Sequence, residues 1–185
     1  MAGTEESFKQ LSGQSITLLH VATHGFYSPL TGHYTAQRSF EEQALSRSGL
    51  FLSGAAASLN MKKIPEDIED GILTAKELSK LDLSNLNLAI LSACQTGLGE
   101  IVGDGVFGLQ RGFKKAGAQT LLMSLWKVDD TATQLLMAEF YKNLVSGQNK
   151  RAAFLNAQKY LRSYQNGIYD KPEYWAAFIM LDGIH

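Results

Sequence analysis

Three short apolar runs constrain this chain most: Ile16 to Ala22, Leu86 to Ala93 and Gln119 to Trp126. Runs of that length are too short for a core helix and read as strands buried in a sheet. Helix signals surround them. Thr4 is placed to cap a short helix over residues 4–12, with Gly13 as its stop. Thr74 and Glu77 make a capping box, in which the threonine side chain bonds the Glu77 amide and the glutamate reaches back. The helix it opens ends near Lys80. Asp104 is expected to cap a helix from about Gly105 to Lys115, with Gly117 after it. Asp129 or Asp130 caps a long amphipathic helix to about Val145, whose apolar positions include Leu135, Leu136, Phe140 and Leu144. Gly147 ends that helix, and another follows from about Lys150 to Arg162. Tyr174 to Leu181 reads as a last extended segment. Residues 25–48 read as a long polar surface loop and Ala55 to Ile68 as a further connection, with a short strand at Leu50 to Leu52 between them. Strand, helix, strand, helix, strand, helix, helix, strand is the order of an α/β fold with a mainly parallel sheet.

The 185 residues are 45% apolar and 19% charged, which suits one soluble globular domain with a sizeable core. A net charge of -1 lacks the basic excess of a nucleic-acid binder. One cysteine cannot form an internal disulfide, so a reducing, cytoplasmic setting is expected. No apolar stretch reaches the roughly 18–20 residues of a membrane span, and the polar, acidic start is not a secretory signal.

The first two runs each end in a loop bearing a reactive side chain. One leads into His24, in His20-Val21-Ala22-Thr23-His24-Gly25, and the other into Cys94, in Leu91-Ser92-Ala93-Cys94-Gln95-Thr96-Gly97. Neighbouring parallel strands put both residues on one sheet edge, where open α/β sheets build their sites. A thiol with an imidazole in reach is a nucleophile with a base. Cys94 also has a bland reading, as a small buried hydrophobe. Gly97, Gly99, Gly103 and Gly105 weigh against it, because they keep the following backbone open to close approach. The amides of Gly25 and Cys94 are placed to hold an oxyanion. His20, inside the first strand, reads as a satisfied core residue, and His33 as a weaker base. In Ser124-Leu125-Trp126-Lys127-Val128-Asp129-Asp130 the aspartates have two readings, one as the cap of the helix and one as the lining of a pocket beside Cys94 that selects a basic side chain, and both can hold, one residue each. Trp126 is a pocket wall or core. The four histidines and single cysteine show no metal spacing, so no metal and no cofactor are expected. Gly103 to Gly108 spells a dinucleotide fingerprint but starts well past the strand end, so its glycines read as loop and helix entry, with nucleotide binding the minor alternative.

These motifs, with Gly103-Asp104-Gly105-Val106, Gly117-Ala118 and Tyr174-Trp175-Ala176-Ala177-Phe178, resemble the CHAT domain, a caspase-like family usually attached to tetratricopeptide repeats. The matching pieces run from about residue 20 to 178. The resemblance implies a caspase-like three-layer sandwich, a His24–Cys94 dyad, Gly25 in the oxyanion hole, and hydrolysis of a protein or peptide substrate. It likens Leu125 to Asp130 to a separase segment whose aspartate contacts an arginine before the cut, without choosing between Asp129 and Asp130. It implies one domain over residues 1–185, forming the C-terminal part of a longer protein with an upstream repeat region. The family's domain begins with further strands ahead of the histidine-bearing one, so an exposed sheet edge and self-association through it are expected. A latent scaffold that needs upstream sequence or a partner is the alternative to an active peptidase.

Overall fold

The computed structural model describes residues 3–28, 40–60, 69–92, 100–102 and 105–183. In chain order the elements are α1 (Glu5–Lys9), β1 (Leu18–Val21), β2 (His24–Tyr27), α2 (Phe40–Ser46), β3 (Ser48–Phe51), α3 (Ala55–Asn60), β4 (Ile72–Thr74) and α4 (Ala75–Leu78). Then follow β5 (Leu88–Leu91), β6 (Glu100–Val102), β7 (Gly105–Phe107), α5 (Leu109–Lys115), β8 (Thr120–Ser124), α6 (Asp130–Val145), α7 (Lys150–Ser163), α8 (Pro172–Trp175) and β9 (Phe178–Asp182).

The central sheet has the order β1-β5-β8-β9. β1, β5 and β8 are parallel, and β9 runs antiparallel to β8. Every residue of β5 and β8 is buried, as expected where helices cover both faces. Side chains alternate across the sheet. Ala89, Leu91, Leu121 and Met123 join Phe8, Leu78, Leu109 and Phe113 on the face covered by α1, α4 and α5. Leu88, Ile90 and Leu122 join Leu136, Phe140, Phe154 and Leu161 on the face covered by α6 and α7. The result is three layers, helix, sheet and helix.

β1 differs from its neighbours. It pairs with β5 on one side and, among the described residues, with nothing on the other. Leu19 and Val21 pack on the α1 side. Leu18 and His20 point to the other face and are exposed, Leu18 by 44%.

The local signals at two helix starts and one helix end act as expected. Thr4 caps α1 by accepting from the Ser7 amide. Thr74 and Glu77 form the reciprocal capping box of α4. Gly117 follows α5 with a φ of 94°, a conformation that favours glycine.

Several expectations are corrected. The stretch 25–48 contains β2 and α2, and residues 29–39 between them, with His33, lie outside the described residues. β2 forms because His24, Phe26 and Tyr27 suit a pleated surface and find β3 and then β4 as antiparallel neighbours. Ala55 to Asn60 is helical, and residues 61–68 lie outside the described set. Gly105 does not begin a helix. Gly105–Phe107 pairs with Glu100–Val102 as a hairpin, and Gly108 is the N-cap of α5. Asp104 lies outside the described residues. The segment from Tyr174 begins in α8, with Pro172 at its first turn, before extending as β9.

Candidate active site

The ends of β1 and β5 set the site. Their register pairs Val21 with Leu91, and the ladder continues one step, with the Ser92 amide donating to the Val21 carbonyl at 3.0 Å. The chain then leaves both strands at the same edge. His24 stands three residues beyond Val21, and Cys94 three residues beyond Leu91. Cys94 and its neighbours Ala93 to Gly99 lie outside the described residues.

His24 opens β2, where it pairs with Phe51. The preceding Thr23 hydroxyl donates to the Phe51 carbonyl and anchors the turn out of β1. The imidazole is exposed and borders an open cavity of about 590 Å³, walled by Phe51, Ala55, Ala56 and Leu59, the last 64% exposed. Gly25 pairs with Leu50. Ladder bonds from Ser28 N to Arg47 O (2.8 Å) and from Leu52 N to Gly71 O (2.7 Å) fix the alternation. They make Gly25–Leu50 a pair that shares no N–H···O bond, so the Gly25 amide points away from β3.

Asp129 and Asp130 part company. Asp129 is the N-cap of α6: the Ala132 amide donates to its Oδ1 at 2.8 Å and the Thr133 hydroxyl to its carbonyl at 2.8 Å. Asp130 is the first helical residue and is exposed. Trp126 is not core. It is 38% exposed, and its indole N–H donates to the Glu173 carbonyl at 3.1 Å, tying the segment after β8 to α8.

His20 is satisfied, as expected, but not buried in the core. Its Nδ1 lies 2.7 Å from the Tyr141 hydroxyl and its Nε2 2.8 Å from Ser92 Oγ. The rings of His20 and Tyr141 are 5.9 Å apart. Partial burial holds the imidazole below its usual pKa and the tyrosine hydroxyl above its own. Ser92 and Tyr141 were not visible as partners in the sequence, because they are 72 and 121 residues from His20.

Among the described residues, one carboxylate group has metal-like spacing: Glu5, Glu69 and Glu77. Lys9 Nζ already sits 2.7, 2.7 and 3.0 Å from their oxygens, so an ammonium fills the place of a cation. No helix among the described residues is long and apolar enough to cross a membrane.

Tetratricopeptide repeat protein 28 of mouse is 34% identical over 110 residues, covering 60% of this chain and 4% of that protein. Its human counterpart is 32% identical over 114 residues, covering 62% of this chain and again 4% of the relative. The chain thus spans a small fraction of the length of the curated relatives it matches. The family pattern described as the CHAT domain matches residues 1–183. With that match over a mainly parallel sheet flanked by helices, the chain belongs to the CHAT domain family, which is caspase-like.

Proposed function

We propose that this CHAT domain is a cysteine endopeptidase working through Cys94 and His24. The observation that supports the reading is the register of β1 on β5, which pairs Val21 with Leu91, and in the sequence His24 and Cys94 each follow one of these by three residues. The Cys94 thiolate attacks the peptide carbonyl carbon and forms a C–S bond. Protonated His24 gives its proton to the leaving amine as the C–N bond breaks, leaving a thioester. His24 then takes a proton from water, whose oxygen displaces the thiolate and releases the acid. The Gly25 amide, directed away from β3, joins the Cys94 amide in holding the oxyanion.

Asp130 is the better candidate for selecting a basic residue before the cut, since Asp129 is engaged as a cap. The name of the mouse and human relatives favours a module attached to tetratricopeptide repeats, with this chain as a single domain of a longer protein. A second reading, an interaction module, draws on the one-sided pairing of β1 among the described residues.

Cleavage of a mixed peptide library, read by mass spectrometry beside Cys94→Ala and His24→Ala, tests the proposal. Cuts after Arg or Lys that vanish in both variants support it. Cuts that persist in Cys94→Ala overturn it, and no cuts in any protein move the weight to the interaction module.

A further inference from the structure

We infer that Tyr141, His20 and Ser92 form a positioning clamp that sets the two reactive strand ends against each other. The inference rests on the peptidase reading for its consequence, not for its geometry. His20 lies four residues before His24, and Ser92 two residues before Cys94. One imidazole bridges the strands that carry them, with Nε2 at 2.8 Å from Ser92 Oγ. Its other nitrogen is held at 2.7 Å by Tyr141, on α6. A neutral ring has one N–H and one lone pair, so in either tautomer it donates to one hydroxyl and accepts from the other.

The clamp matters because few contacts among the described residues hold this edge. β1 has a neighbour on one side only among the described residues. Beyond Val21 the ladder to β5 continues, among the described residues, only through the Ser92 amide, and the chain then turns into a different sheet. The third member of the clamp is on firmer ground. α6 is anchored on the sheet by the fully buried Leu136 and Phe140, so Tyr141 gives the ring a fixed support. His20, Ser92 and Tyr141 need not touch substrate. They act through the placement of His24 and Cys94, where an error of about 1 Å costs on the order of a hundredfold in rate.

The test uses Ser92→Ala, Tyr141→Phe and Ser92→Thr, the last keeping the hydroxyl. Cys94 is the chain's one cysteine, so alkylation by iodoacetamide reads it alone. Ser92→Ala and Tyr141→Phe should each lower kcat about tenfold with KM little changed, and slow Cys94 alkylation at neutral pH. Ser92→Thr should restore both. The double variant Ser92→Ala/Tyr141→Phe should be little worse than either single one, because one ring carries both bonds. Unchanged kcat and alkylation in folded single variants would overturn the clamp. If the wild-type protein cuts no peptide, the peptidase reading fails separately. The clamp is then decided by alkylation: slowing that Ser92→Thr reverses supports it, and identical rates in all variants reject it.

Discussion

Gly112 in α5 lies so close to Ala75 at the head of α4 that a Cβ on Gly112 would stand 2.8 Å from the Ala75 carbonyl oxygen. Both helices cover the face of the sheet that receives Leu91 and Met123, so this contact supports the layer beneath the site. Gly112→Ala brings the better helix former, but the added carbon meets backbone that cannot swing aside. It should destabilise the fold by about 1–3 kcal/mol, the range for overpacking. Thermal or urea unfolding reads this directly, and a variant as stable as the wild type would show that the helices move apart freely.

Glu5 makes stability depend on pH. It is 1% exposed, and burial, opposed by Lys9, pushes its carboxyl from the ordinary 4.5 to about 7. Between those values the folded protein holds a proton that the unfolded chain has released. The contribution is therefore present below about 4.5 and lost as pH rises through about 7. Glu77 acts in another window. Burial pushes its carboxyl up, but bonds from Thr74 and Lys9 outweigh this and hold it low, so its contribution is lost only in acid. Wild-type protein should lose on the order of 2 kcal/mol between about pH 5 and about pH 8, and Glu5→Gln much less. Parallel stability curves for the two proteins would show that Glu5 does not carry the effect.

The side of β1 that lacks a partner strand among the described residues predicts a concentration-dependent property. Leu18 is 44% exposed on an edge strand, and unpaired edges favour strand-to-strand association. Leu18→Lys places a charge on that edge. It should shift sedimentation toward the monomer without lowering the melting temperature by more than about 0.5 kcal/mol equivalent, as for other surface changes. Association that survives the substitution would locate the contact elsewhere.

Much of this arrangement was legible in the sequence because its signals are local. The runs at Leu86 and Gln119 carry the apolar stretches Leu88 to Leu91 and Leu121 to Met123, and β5 and β8 are buried on both faces, so pattern and structure agree. The caps at Thr4 and Thr74 need only three residues to declare themselves. What was missed depends on distant pairing. β4 has three residues and no period of its own, and it exists because β3 lies beside it. β2 carried aromatic residues suited to a strand, but Gly25 and the polar sequence after it suggested a loop. His20 reads as core in the sequence because its strand looks like the others, and only the sheet order reveals that β1 has a partner on one side alone among the described residues. For the site, the strand order expected from sequence is found, with β1 beside β5, while Cys94 lies outside the described residues and the hydroxyls holding His20 come from β5's end and α6.

Asp129 and Asp130 are adjacent yet should give opposite variants. Asp129 Oδ1 accepts from the Ala132 amide and satisfies one of the free donors at the start of α6. Asp129→Ala should therefore cost about 1 kcal/mol of stability, the usual loss for an N-cap, and Asp129→Ser should recover most of it. Asp130 is exposed and occupies the first turn, where its charge contributes only a few tenths of a kcal/mol through the helix dipole. Asp130→Asn should leave the melting temperature nearly unchanged. If Asp130 selects the basic residue before the cut, kcat/KM for an Arg peptide should fall about tenfold or more relative to a neutral peptide, since the loss of one charge-assisted contact is worth about 1.5–3 kcal/mol. Equal loss on both peptides, or none, would remove Asp130 from the pocket, and a specificity change in Asp129→Ser instead would assign the selection to the capping residue.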